Sequence, residues 1–136
     1  FEYLFYEEVI SHRTGINNKD AVTLTLTGLR AVIEGVGYEL RCRSVKALSA
    51  NTWRTDFCGR GETQLIKRAA RAAKQSARDP LKAAAMERCR QLGMKPQNDD
   101  EGDAIGILTY GLLRNGVTPP WIAQEVLRAP LSGERA

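Results

Sequence analysis

Asp99-Asp100-Glu101-Gly102-Asp103-Ala104-Ile105-Gly106-Ile107-Leu108 is an acidic run that turns directly into an apolar one. Lys95-Pro96-Gln97-Asn98 before it reads as a linker, and Asn98 or Asp99 is placed to cap a helix running to Asn115-Gly116. On that helix Asp100 and Asp103 stand at i and i+3, neighbours on one face. Acids in a first turn meet the positive end of the helix dipole. That effect is worth only about 0.3–1 kcal/mol apiece, and crowding of like charges offsets part of it. A divalent cation would relieve the crowding, because carboxylates, waters and phosphate oxygens are the ligands Mg²⁺ takes. The spacing alone leaves both readings open, a favoured helix start or a pair of metal ligands.

At the other end, residues 1–10 read as a strand, aromatic and largely apolar. Side chains alternate along a strand, so Phe1, Tyr3, Phe5, Glu7 and Val9 share a face that is apolar except for Glu7. A carboxylate in such a row is neutralised, paired or metal-bound, unless the strand end simply emerges into solvent. The chain opens without Met in what looks like the middle of a buried strand, which leads us to expect further strands upstream.

Between the two acidic positions the pattern mixes periods. Val22, Leu26, Leu29 and Ile33 fall on one helical face, and the segment is read as a helix closing at Gly35-Val36-Gly37. The alternation Val22-Thr23-Leu24-Thr25-Leu26-Thr27 is the competing strand signal. Residues 38–47 read as a second strand, Ser49 opens a short helix through Trp53, and Gly59-Arg60-Gly61 reads as a loop. An Ala-rich helix is expected from Glu62 to Arg78, stopped by Asp79-Pro80, then a second from Leu81 to Leu92, ended by Gly93. Thr118-Pro119-Pro120 opens a last short helix around Trp121–Arg128. The result is an α/β layout with too few strands for its helices.

The chain has 136 residues, 43% of them apolar, enough for one domain. Its net charge of +4 is uneven. Residues 39–90 hold thirteen Lys/Arg against five Asp/Glu, while residues 1–38 hold three against five and residues 91–136 four against six. A basic middle between acidic ends fits a polyanion partner, or equally a solvated surface. On the helix over 62–78, Lys67, Arg71, Lys74 and Arg78 form one stripe opposite a core-facing row of Leu65, Ile66, Ala69 and Ala73. Cys42, Cys58 and Cys89 are widely spaced and His12 is the only histidine, which speaks against a disulfide framework, a zinc site or a Cys–His nucleophile. Reduced thiols suit the cytoplasm, and nothing resembles a signal peptide or a membrane span.

Phe5-Tyr6-Glu7-Glu8-Val9, followed much later by Asp100-Glu101-Gly102-Asp103-Ala104-Ile105, resembles the RuvC family of Holliday-junction resolvases, phage members above all. The resemblance covers about residues 3–115. Arg43-Ser44-Val45-Lys46 is similar to the family segment carrying a DNA-contacting lysine. It implies an RNase H-like mixed sheet flanked by helices, here lacking its first three strands and the family's first catalytic Asp. Residues 1–116 would be the nuclease core, and 117–136 a C-terminal helix and tail. It further implies two-metal phosphodiester hydrolysis with Mg²⁺ or Mn²⁺, Glu7, Asp100 and Asp103 being catalytic metal ligands. Branched DNA would be the substrate, bound by Lys46, Arg54, Arg60, Lys67, Arg71 and Lys74. The protein would be a homodimer with neither a membrane partner nor a small-molecule cofactor. The alternative is a non-catalytic DNA-binding or scaffold domain on the same core.

Overall fold

The computed structural model describes residues 2–8 and 19–122. The chain divides into two units, Phe1–Ala50 and Asn51–Ala136.

In the first unit, the aromatic-rich segment Tyr3–Glu7 forms strand β1 and Ser44–Leu48, with Val45, forms β2. They pair in parallel, Tyr3 opposite Ser44 and Glu7 opposite Leu48. Parallel neighbours require a crossover, and helix α1 (Lys19–Glu39) lies within it. The helical reading of Val22–Thr27 therefore holds over the strand alternative. The register pairs Leu4 with Val45, and α1 meets both at Gly37. A Cβ there would lie 2.5 Å from Val45 Cγ2 and 3.2 Å from Leu4 Cδ2. Gly37 is thus a point of close approach rather than a helix stop.

Alternation puts Tyr6 on the same face as Leu4, and its hydroxyl donates to Glu34 Oε1 of α1 at 2.6 Å. Arg30 Nε donates to the same oxygen at 2.9 Å. Tyr6 first, then Arg30, hold the Glu34 carboxyl below its ordinary range. Tyr3 and Phe5 occupy the other face, their rings stacked at 6.0 Å. Of the expected face of odd positions, Tyr3, Phe5 and Glu7 are on β1, while Phe1 and Val9 lie outside the described residues.

Two expected boundaries in this unit move. Helix α1 continues through Gly35 and Gly37 to Glu39, so β2 begins at Ser44 and not at Tyr38. The turn is made by Arg41 at φ 51°. Its N–H reaches Tyr38 O, and that of Cys42 reaches Gly37 O, both at 2.9 Å. These are the paired bonds of a Schellman ending. Of the expected inward row, Ile33 is half-buried and Leu26 and Leu29 are exposed. The side chain of Val22 lies outside the described residues.

The second unit contains α2 (Ala50–Cys58), α3 (Arg60–Ala72), α4 (Arg78–Gln91), α5 (Asp99–Arg114) and a 3₁₀ turn over Pro120–Ile122. Its core is Trp53, Phe57 and Cys58 of α2, Ala84, Ala85 and Cys89 of α4, and Leu92. Helix α5 enters this core through glycines. A Cβ on Gly102 would lie 2.7 Å from Met86 Sδ, and one on Gly106 2.5 Å from Trp53 Cζ3. The two buried threonines are satisfied locally: Thr63 Oγ1 donates to Gly59 O at 2.8 Å and Thr109 Oγ1 to Ile105 O at 2.7 Å.

Here too the sequence misplaces some ends. Only Gly59 (φ 97°) interrupts the chain between α2 and α3, so Arg60 and Gly61 lie in the first turn of α3 rather than in a loop. Helix α3 stops at Ala72, six residues before the expected Arg78. Lys74 adopts φ 53°, its N–H bonds Arg71 O at 3.1 Å, and the Gln75 N–H bonds Ala70 O at 2.9 Å. Helix α4 starts at Arg78 rather than Leu81, with Pro80 inside its first turn, where the missing N–H has no helical partner to lose. The expected stops at Gly93 (φ 78°) and Gly116 (φ 76°) are observed. On α3 the inward row is Thr63, Ile66 and Ala70, whereas Leu65, Ala69 and Ala73 are exposed. Of the expected helix around Trp121–Arg128, residues 123–136 lie outside the described residues. No helix among the described residues is long and apolar enough to cross a membrane.

Candidate functional site

The first turn of α5 distributes its acids among separate tasks. Asn98 is extended (φ −148°), and its side chain accepts the Glu101 N–H at 2.9 Å. Glu101 Oε2 in turn accepts the Gln97 N–H at 2.7 Å, a variant of the capping box. Asp99 pairs with Lys82 of α4. The hydrogen bond from Lys82 holds the Asp99 carboxyl below its usual range, and Asp99 raises Lys82 in return. Asp100 is left with its side chain 90% exposed, 3.9 Å from Lys82.

Asp103 points the other way. Its Oδ2 accepts from the Arg54 guanidinium of α2, and the two side chains are only 14% and 16% exposed. Arg54 lies 4.8 Å above the ring of Trp53, which is fully buried. Asp103 Oδ1 is buried with no hydrogen-bond partner. The cation that offsets this buried carboxylate is the Arg54 guanidinium already bound to it. Asp103 is thus paired with a guanidinium, and Asp100 is the accessible acid of the two. Although one turn apart, the two acids sit in opposite surroundings. Among the described residues, no three His, Cys, Asp or Glu side chains are grouped to hold a metal. Glu7, the third expected ligand, is an exposed residue at the end of β1 in the first unit.

Set against known proteins, the chain matches no family model, no curated protein and no solved structure.

The six basic candidates separate. Arg60, Lys67 and Arg71 lie on α3 at i, i+7 and i+11, one exposed face, with Lys67 donating to Asn51 Oδ1. Lys74 is beyond the helix end and Arg78 belongs to α4, so the expected four-residue stripe is broken there. Lys46 is an exposed residue of β2 in the first unit. Arg54, expected on the DNA side, is turned inward onto Asp103. Sequence reasoning missed that pairing and the Lys82–Asp99 pair, because each joins residues of different helices with no shared period. The Gly102/Gly106 pair at i and i+4 was the one available hint of close packing at this helix.

The buried thiols of Cys58 and Cys89 are pushed up to about 11, chiefly by desolvation. At pH 7 they are neutral, which suits core packing and not nucleophilic attack. His12 lies outside the described residues.

Proposed function

We propose that this chain belongs to a metal-dependent endonuclease of RNase H-like, RuvC type that hydrolyses phosphodiesters of branched DNA, four-way junctions above all. The reading rests on the resemblance of its two acidic segments. The observation that supports it most is Asp103 Oδ1, a buried carboxylate oxygen without a donor at the second acid of the Asp-x-x-Asp-Ala block. The resemblance assigns Glu7, Asp100 and Asp103 as ligands of Mg²⁺, with Mn²⁺ as a substitute. Such an ion supplies a deprotonated water at neutral pH and positive charge for the leaving oxygen. Asp103 would be one ligand, and Asp100 would have to turn from its exposed position beside Lys82 to join it. Arg60, Lys67 and Arg71 would meet phosphates without reading bases, as a structure-selective enzyme requires. A cytoplasmic homodimer cutting the two sides of a junction goes with this reading.

A second reading has its own support. Arg54 already neutralises Asp103, so a DNA-binding or scaffold domain would need no metal there. Cleavage decides between them. The natural protein should cut a synthetic four-way junction with Mg²⁺ or Mn²⁺ and not with EDTA, and Asp103→Asn should bind the junction without cutting it. Retained junction binding shows that the variant is folded, which matters because Asp103 also neutralises Arg54. Full cleavage by folded Asp103→Asn would remove Asp103 from catalysis. Junction binding by the natural protein with no metal-dependent cleavage would favour the scaffold reading.

A further inference from the structure

We infer that the outward face of α1 is the surface on which two copies of this chain pair, helix against helix, about a two-fold axis. The pairing gives the homodimer named above a place in the fold, and it needs neither metal nor DNA. The side of α1 turned to the strands is set by Gly37, which meets Leu4 and Val45, and by Glu34, which accepts from Tyr6. With Arg30 and Ile33 these positions follow the i, i+3, i+4, i+7 spacing of one helical face. Opposite them run Leu24, Gly28, Val32, Gly35 and Val36, with Leu29 beside them, all exposed. Leu24 is 73% exposed and Val32 61%. The solvent side of a surface helix is ordinarily polar. Here the only charged residues from Leu24 to Tyr38 are Arg30 and Glu34, which bond each other on the strand side.

Gly28 and Gly35 are a second, independent sign. Glycine is among the poorest residues for a helix interior. Gly37, Gly102 and Gly106 are each accounted for by an atom of this chain that leaves no room for a Cβ. At Gly28 and Gly35 a Cβ would meet nothing within 4 Å. The two stand seven residues apart, so they notch the same face about 10 Å from each other. Such notches let another backbone come close.

Further strands beside β1 or β2 would leave this face uncovered. They would extend the sheet in its own plane, about 4.8 Å apiece, on the side of Gly37. The face carries no charge, and an unpaired charge buried against it would be costly, so its partner is uncharged as well. A second α1 meets that requirement over a length of about 30 Å. An isologous contact uses one patch twice and must therefore complement itself. This patch does: Leu24 and Val32 of one copy supply the ridge that Gly28 and Gly35 of the other receive.

The test is the mass of the natural protein by sedimentation velocity, from micromolar to tenth-millimolar concentration, where a dimer is expected. Gly28→Gln and Gly35→Gln have room in the single chain and improve helix propensity, so both should fold, as circular dichroism would check. Each should weaken the dimer by about 10-fold or more, because its side chain fills the notch. Gly61→Gln, at an open glycine of α3, should leave the dimer intact. A natural protein that stays monomeric throughout overturns the inference. So does a dimer that both α1 variants leave unchanged, or one that Gly61→Gln weakens equally. Because the readout is mass, absence of junction cleavage leaves the pairing standing, and a monomer that cleaves junctions removes the pairing and spares the nuclease reading.

Discussion

Gly106→Ala adds one carbon where α5 meets the Trp53 and Phe57 rings of α2. That carbon would sit 2.5 Å from Trp53 Cζ3, 2.9 Å from Trp53 Cε3 and 3.1 Å from Phe57 Cδ1. The first two distances are shorter than carbons tolerate, and Trp53 is 0% exposed, so its ring has nowhere to move without displacing other core groups. Overpacking of a dense core costs about 1–3 kcal/mol, and here the upper half of that range applies. Against it stands the better helix propensity of Ala, worth about 1 kcal/mol. The net expectation is a loss of about 1–2 kcal/mol. Gly61→Ala in α3 is the control, since a Cβ there meets nothing within 4 Å. It should gain up to about 1 kcal/mol. Urea unfolding followed by circular dichroism reads the difference. With a slope of about 2 kcal/mol per molar, Gly106→Ala should lower the midpoint by about 0.5–1 M, while Gly61→Ala raises it slightly. Trimming the ring with Trp53→Leu should make Gly106→Ala less harmful than it is alone, a coupling expected between residues in contact. If the two alanine variants are equally stabilised, α5 does not approach Trp53 closely.

Four further outcomes are expected. Asn98→Ala removes the cap of α5 and should cost about 1 kcal/mol in the same unfolding assay, with Asn98→Asp nearly neutral. Replacing Arg60, Lys67 and Arg71 with Ala should weaken DNA binding and flatten its salt dependence, by about 0.9 in slope for each phosphate no longer neutralised; an unchanged slope makes this face a solvated one. Lys74→Gly should raise stability, because a non-glycine residue in the left-handed region costs about 1–2 kcal/mol and glycine offsets this only in part through chain entropy. The Asp99–Lys82 pair should stabilise between about pH 4 and pH 10. The depressed Asp99 carboxyl loses its contribution as pH falls through its folded-state value, and the raised Lys82 loses its own as pH rises through its folded-state value. Asp99→Asn should therefore flatten the acid limb of the stability profile, and an unaltered limb would count against the pair.

Four helices close with one backbone motif, and the sequence disclosed two of them. Gly93 and Gly116 supply the left-handed residue after α4 and α5, and both stops were legible because glycine adopts that conformation at no steric cost. Arg41 and Lys74 supply it after α1 and α3, and there the expected ends differ from the observed ones. Neither side chain prefers the left-handed region, so propensity carries no trace of those turns. Gly37 misleads in the opposite sense: by sequence it reads as a terminator, whereas it lets α1 lie against Leu4 and Val45. The acidic block was legible as a helix start, down to the Asn98 cap. What lay beyond reach was the division of labour within it. Which acid turns inward depends on Arg54 and Lys82, whose positions are set by tertiary packing and not by spacing along the chain.

Trp53 has a consequence of another kind. A fully buried indole with a guanidinium 4.8 Å above its ring is an optical reporter whose emission depends on where that charge sits. The other tryptophan, Trp121, donates its indole N–H to Thr109 Oγ1 at 3.0 Å, and Trp121→Phe would silence it. The single remaining indole then watches Arg54 directly. Any ligand that draws on Asp103 would register as a change in tryptophan emission, in solution, without a label, and on the timescale of mixing.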